Sequence, residues 1–216
     1  MITLFSYPQT RGVRVLWAIN ELQLDFEYEV IDLYKGEHRQ AEFTEVSPAQ
    51  KVPVLRDGSL TIAESAAIVN YLAQKTGRLV PEINTPERAQ FEEVMFFVTN
   101  ELEQALWTQA KHKFALPEKY RVPATIETAK WEFQQALKIF SKMLGNKPYV
   151  CGDHFTVADI IAGHTLSWAK GFKQVLEHEN VNDYASSVLS RPALAEARAF
   201  EKALLDNIRS DDKTQD

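Results

Sequence analysis

Cysteine is almost absent: Cys151 is the single thiol in 216 residues. One thiol forms no internal disulfide, builds no cysteine-rich zinc site and makes no C-x-x-C redox pair. Long apolar runs are missing too. None approaches the ~20 residues that a bilayer span needs. Residues 1–8 carry no basic region ahead of their apolar stretch, which stops at Pro8, so they do not read as a secretory leader. A cytoplasmic setting is expected. Positive charge is not in excess, with 24 Lys and Arg against 30 Asp and Glu, a net charge of −6. The balance is even along the chain, 8 basic and 10 acidic residues up to position 80 and 16 and 20 after it. A binder of nucleic acid needs clustered Lys and Arg to meet phosphates, and neither a basic arm nor an acidic tail is present. No Ser-His-Asp grouping, Gly-rich phosphate loop or metal-spaced His/Cys set stands out among the five scattered histidines. Nucleic acid, membrane and metal are therefore not expected as partners.

What is there is an ordinary globular composition, 45% hydrophobic and 25% charged, long enough to bury a core. Residues 2–6 form a β-branched and aromatic run. Val15, Leu16, Ile19 and Leu22 follow at helical spacing, and Phe26, Tyr28 and Val30 then alternate with glutamates. Strand, helix and strand in so short a span predict a parallel βαβ unit with a right-handed crossover. Residues 34–50 read as polar and irregular. Two short apolar runs, 52–55 and 60–62, flank Asp57-Gly58, a hairpin signal because both central positions tolerate positive φ. A helix with Ser65, Ile68, Val69 and Leu72 on one face follows. The reading is α/β plus all-α: a βαβ-ββα domain over 1–76, a linker over 77–86 with one Gly and two Pro, an all-helical domain over 87–209 and a flexible tail over 210–216. In the helical part, four faces follow a helical period, through Phe91 to Leu106, Ala129 to Leu144, Ile161 to Phe172 and Leu194 to Leu204. Thr156 and Asp159 have the spacing of a capping box with Asp in place of Glu, which is a folding signal.

Chemistry concentrates in the first domain. Ser6, Tyr7, Thr10 and Arg11 lie where a strand runs into a helix, and amides at a helix start are free to bind an anion. A hydroxyl there can donate to a thiolate, or Thr10 can be a plain N-cap and Tyr7 a packed ring. Val52-Pro53 suits the first residues of a strand, since proline lacks an N–H. Glu64-Ser65 heads a helix, where a Ser cap and free amides make a carboxylate site. Lys35, His38, Arg39 and Lys51 form a basic cluster around the irregular segment, or a solvated loop.

Together these residues resemble the glutathione S-transferase family over nearly the whole chain. The carriers are the stretch 47–55 (Ser-Pro-Ala-Gln-Lys-Val-Pro-Val-Leu), Asp57-Gly58, the stretch 64–68 (Glu-Ser-Ala-Ala-Ile), and the stretch 152–160 (Gly-Asp-His-Phe-Thr-Val-Ala-Asp-Ile) beyond the linker. The resemblance implies a thioredoxin-like N-terminal domain, a helical C-terminal domain, a homodimer and a cis Val52–Pro53 bond. It implies glutathione as co-substrate and no metal. Val52 would offer its backbone to the cysteinyl part, a one-residue strand addition. Ser65 would take the γ-glutamyl carboxylate, Glu64 would sit near the ammonium, and His38 and Lys51 would meet the glycine carboxylate, with Arg11 and Arg39 beside them. Glu101 or Glu103 of a partner subunit would complete the ammonium site.

The activating residue departs from the familiar patterns. Theta- and delta-like members carry a Ser four residues before an arginine of the first helix, and here Thr10 holds that position relative to Arg14. Thr10 is taken first, then Tyr7, which stands near the place of a catalytic tyrosine in other classes, then Ser6. A free thiol titrates near ~8.5, and holding it ionised near pH ~6.5 needs roughly 2.7 kcal/mol. One charge-assisted hydrogen bond is worth about 1.5–3 kcal/mol, so a hydroxyl with help from the helix dipole suffices. The thiolate would then attack a small hydrophobic electrophile in a cleft walled by Trp107, Lys111, Phe114, Trp168 and Phe172, residues that read equally as core. The expected role is conjugation in detoxification. Glutathione-dependent disulfide or peroxide reduction, isomerisation, or binding without turnover are the alternatives.

Overall fold

The structure, a computed structural model, describes residues 1–213. Its chain divides into two compact units. The first is Met1–Arg78 together with the chain from Ser190 onward, and the second is Leu79–Leu189.

The first unit is built on a four-stranded sheet of order β2-β1-β3-β4, with β1 at Ile2–Ser6, β2 at Phe26–Val30, β3 at Val54–Asp57 and β4 at Leu60–Ala63. β1 and β2 are parallel and joined through α1 (Gly12–Leu22), as the strand-helix-strand reading requires. β1–β3 and β3–β4 are antiparallel. The hairpin turns at Gly58-Ser59, with Gly58 at φ +60; Asp57, expected as a central turn position, instead ends β3 opposite Leu60. α3 (Ser65–Thr76) packs on α1. The inward face of α1 is among the most tightly buried surfaces of the protein, with Val15, Leu16, Trp17 and Ile19 at 0–1% exposure. Phe5 and Val54 oppose each other across β1–β3 and face a separate small core with Ile31 and Phe43. Phe43 belongs to α2 (Ala41–Val46), which lies inside the stretch read as irregular. A six-residue helix has room for only one turn of apolar periodicity, here Phe43 and Val46, and that is too little pattern to see.

The last helix, α9 (Pro192–Lys213), was expected in the helical domain over 87–209, and its contacts place it in the first unit instead. Arg191 clasps Glu21 of α1 through Nε at 2.5 Å and Nη2 at 2.7 Å. Asn20 Nδ2 donates to the Ala193 carbonyl at 3.1 Å. Phe200 packs edge-on against Phe26 and Tyr28 of β2. Of the tail expected over 210–216, residues 210–213 continue α9, and residues 214–216 lie outside the described residues.

The second unit is helical: α4 (Pro86–Phe97), α5 (Glu103–Ala110), α6 (Ala124–Leu144), α7 (Val157–Gly171) and α8 (Glu179–Leu189). The single face expected from Phe91 to Leu106 is broken by a π-turn at Val98–Leu102, and a second π-turn follows at Lys111–Ala115. α8, with Val181, Tyr184 and Val188 buried, went unseen in the sequence. The capping box forms as expected, the Thr156 amide donating to Asp159 Oδ2 at 2.8 Å. Among the described residues no helix is long and apolar enough to cross a membrane.

Candidate active site

Three segments of the first unit carry the residues singled out. The first is the turn between β1 and α1. Ser6 closes the strand and is fully buried. Gly12 opens the helix so close to it that a Cβ there would stand 1.9 Å from Ser6 Oγ, a contact only glycine avoids. Between them, Thr10 Oγ1 donates to the Tyr7 carbonyl at 2.7 Å and accepts from the Gly12 amide at 3.2 Å. Ser6 Oγ lies 3.3 Å from Thr10 Oγ1. With the Thr10 proton on Tyr7, Ser6 is the donor in that contact. The N-cap residue is Arg11 rather than Thr10, yet the Thr10 oxygen still takes a first-turn amide. Tyr7 is buried, its ring edge-on to Tyr34 at 5.7 Å.

The second segment is the loop into β3. Buried Ser47 closes it, its Oγ donating to the Lys51 carbonyl at 3.0 Å and accepting from the Lys51 amide at 3.4 Å. The Val52–Pro53 bond is cis, as the resemblance implies. The β1–β3 register begins at Val54, so the Val52 N–H and C=O stand just outside the ladder while its side chain packs on the Phe5–Phe43 core. The Lys51 side chain is exposed.

The third segment is the head of α3. Ser65, expected as the cap, is the first helical residue, and the N-cap is Glu64 at φ 68, ψ 112. A side chain held at positive φ costs of order 1–3 kcal/mol and persists where its surroundings over-determine it. Ser65 Oγ accepts from Arg14 Nη1 at 3.1 Å, and Arg14 is 1% exposed. That bond occupies a lone pair and leaves the hydroxyl proton, with the first-turn amides of α3, available to an acceptor.

His38 and Arg39 lie on a short 3-10 turn, Glu37–Arg39. Buried Asp32 shapes the approach to it by accepting the Tyr34 amide at 2.8 Å and the Lys35 amide at 3.0 Å. His38 Nδ1 is buried without a hydrogen-bond partner. Burial, then the Arg39 charge, lowers the His38 pKa. Both disfavour the charged imidazolium. Arg39 is exposed and Arg11 half-buried. A cavity of about 280 Å³, lined by residues including Phe5, Glu29, Phe43 and Arg56, touches none of the hydroxyls of the turn.

In the second unit four of the five expected cleft residues gather. Trp107 and Trp168 stand 6.4 Å apart, Trp168 and Phe172 5.6 Å, and Phe114 and Phe172 6.4 Å. Phe114 is 57% exposed, too open for a core residue. The cation over this row is not Lys111 but Lys113, its Nζ 5.6 Å from the Phe172 ring centre.

Sequence reasoning missed four contributors. Arg14 served only as a spacing mark, although a charge inside the apolar run 13–19 is itself a signal of a buried partner. Ser47 lay within the quoted motif. Asp32 and Lys113 gave no signal.

Two family models match the chain, the glutathione S-transferase N-terminal domain over residues 1–74 and the C-terminal domain over 118–199. The chain belongs to the glutathione S-transferase family. Among its relatives, the disulfide-bond oxidoreductase YfcG of Escherichia coli is 30% identical over 98% of this chain and 100% of its own length. Human glutathione S-transferase theta-1 is 32% identical over 74% of this chain and 68% of its own. Among solved structures, glutathione transferase F7 of Populus trichocarpa superposes with a TM-score of 0.81 at 26% identity, over 92% of this chain and 99% of that one. The Phanerochaete chrysosporium transferase URE2P6, in complex with oxidized glutathione, gives 0.80 at 25% identity over 94% and 96%. The glutathione S-transferase fold is thus shared along the chain, and its relatives include both glutathione S-transferases and a disulfide-bond oxidoreductase.

Proposed function

We propose that this chain is a glutathione transferase that joins the glutathione thiolate to small hydrophobic electrophiles. The observation that carries the reading is the hydroxyl turn, where Thr10 is the half-buried member beside buried Ser6 and Tyr7. Val52, Glu64 and Ser65, with Pro53 setting the loop, take the γ-glutamyl-cysteinyl part, and His38, Lys51, Arg39 and Arg11 surround the glycine end. Rotation about Cβ–Oγ turns the Thr10 proton from the Tyr7 carbonyl to the sulfur. A neutral bond worth about 0.5–1.5 kcal/mol is given up for a charge-assisted one worth about 1.5–3 kcal/mol. The net gain of roughly 1.5 kcal/mol falls short of the ~2.7 kcal/mol needed. The N-terminal dipole of α1 supplies the remainder, up to about 2 kcal/mol where partly buried. The exposed ring of Phe114 and the half-buried rings of Trp107, Trp168 and Phe172, with Lys111 and Lys113 nearby, favour an apolar electrophile. In this reading the protein is a cytoplasmic detoxification enzyme, working where glutathione is kept reduced, and a homodimer. Glu101 is exposed, whereas Glu103 is buried and accepts from Thr165 at 3.4 Å, so Glu101 is the acid able to reach a partner.

The YfcG relative favours a second reading, disulfide reduction. The single cysteine, Cys151, lies outside the first unit, so that unit itself supplies no thiol to the turn. Glutathione must supply both sulfurs: one glutathione thiolate attacks the disulfide and expels one half as a thiolate, and a second attacks the resulting mixed disulfide, expelling the other half as a thiolate and leaving oxidised glutathione. Parallel assays with chlorodinitrobenzene and hydroxyethyl disulfide separate the readings. Thr10→Ala is expected to keep glutathione affinity and to lower conjugation at least about tenfold, or ~1.4 kcal/mol. Unchanged turnover rejects Thr10 as activator.

A further inference from the structure

The last helix reaches into the hydroxyl turn. Gln9, immediately before Thr10, is held at φ +62, uncommon for a residue with a side chain. Its amide donates to Glu201 Oε2 at 3.1 Å, across 192 residues of sequence. Glu201 is 5% exposed. Its helix is seated by Phe200 on the rings of Phe26 and Tyr28, which brings the carboxylate to this edge of the sheet. The second oxygen, Oε1, is buried with no hydrogen-bond partner. The groups that act on this corner are Tyr28 on β2, Ser6 and Tyr7 on the turn and Arg198 on the same helix. Burial pushes the Glu201 carboxyl up to about 7, against the pull of the Gln9 amide and Arg198. A helix that needed only to pack would place an apolar side chain here, because a buried carboxyl with a bare oxygen is costly.

We propose that Glu201 is a positioning residue for the hydroxyl turn, holding the Gln9 amide so that Thr10 is presented to the glutathione sulfur. The inference rests on the thiol activation proposed above, but its first test does not. In glutathione-free protein, the Gln9 amide resonance is followed by nitrogen-15 NMR from about pH 5.5 to about pH 8.5, bracketing the Glu201 titration. It shifts with a midpoint near 7 in the native chain and loses that transition in Glu201→Gln. In the second test, ultraviolet titration of bound glutathione shows a higher thiol pKa in Glu201→Ala. Its kcat/KM falls about tenfold, as for a misplaced reacting group, while glutathione affinity stays within about twofold. Glu201→Gln, which keeps an acceptor for the amide, recovers most of that loss. An amide that titrates alike in the native chain and Glu201→Gln overturns the proposal, and so does a folded Glu201→Ala protein with a native bound-thiol titration. If Glu201→Ala fails to fold, the amide comparison in Glu201→Gln decides. A native protein whose bound thiol titrates like free glutathione overturns the activation reading, and the amide titration still reports whether Glu201 clamps the turn.

Discussion

Asp159 in the second unit and Glu201 in the first are both buried carboxyl groups, and the protein surrounds them differently. Asp159 accepts from the Val150 amide at 2.9 Å, the Thr156 amide at 2.8 Å, the Thr156 hydroxyl at 3.0 Å and the Tyr184 hydroxyl at 2.9 Å. Glu201 accepts from one amide and leaves an oxygen bare. Both are pushed upward by burial. The first arrangement is closed, ties three segments of its unit together and leaves nothing for a ligand. The second is half-satisfied and beside the turn proposed to carry chemistry. A filled network is where a fold is specified, and an unfilled one is where it remains responsive.

The largest test of that contrast is Asp159→Ala. It strands two amides and the Tyr184 hydroxyl in the interior, at about 1–3 kcal/mol each. A loss of about 4 kcal/mol in urea unfolding is expected. A loss below about 1 kcal/mol shows that the network is not what holds α7 in place.

Glu201 predicts a smaller, pH-dependent effect. Its folded pKa of about 7 lies above the ordinary 4.5. Between those values the unfolded chain has released a proton that the folded chain keeps, so stability falls as pH rises through the window and levels off above it. The fall is at most about 3 kcal/mol. Glu201→Gln lacks this term, so the variant gains on the native protein between about pH 5 and about pH 8. Urea midpoints at the two ends measure it, and a difference that does not move with pH shows that Glu201 is already ionised in the folded protein.

Next in size is Gly12→Ala. The new methyl meets Ser6 Oγ and, at 2.9 Å, Ser6 Cβ. Overpacking of this kind costs about 1–3 kcal/mol, and because it strikes the turn, turnover falls with stability. Adding Ser6→Ala removes the nearer clash and restores part of the stability. Equal stability with and without that second change places the strain elsewhere.

What the sequence made legible follows the same division between filled and unfilled arrangements. The βαβ-ββα order, the Asp57-Gly58 hairpin and the Thr156–Asp159 box are local, written within a few residues by period, turn chemistry or cap spacing. Ser65 and Val52 were legible as positions, but their surroundings were not, because Arg14 reaches Ser65 across 51 residues. Glu201 had no local signal at all. It stands among Arg198, Glu196 and Lys202 on a helix rich in exposed charges, and only packing separates it from them. α2 was missed for a different reason, an apolar period of only two residues, whereas α8 carries a regular face through Val181, Tyr184, Ala185 and Val188 that was open to reading and was passed over.

The smallest expected effect sharpens the contrast from the side of the second unit. Cys151 stands in the field of Asp159, and burial first, then that carboxylate, pushes its thiol up to about 11. Near neutral pH its thiolate fraction is about two orders of magnitude below that of an ordinary thiol near ~8.5. Iodoacetamide should therefore label the folded protein very slowly, and Cys151→Ala should leave both conjugation and disulfide reduction within about twofold of native, since Cys151 has no part in either step. The second assay is the decisive one. A disulfide reductase that formed a mixed disulfide with its own cysteine would lose activity with the substitution. One that uses glutathione for both sulfurs would not, and its rate would instead follow the hydroxyl turn and the Glu201 contact that holds it.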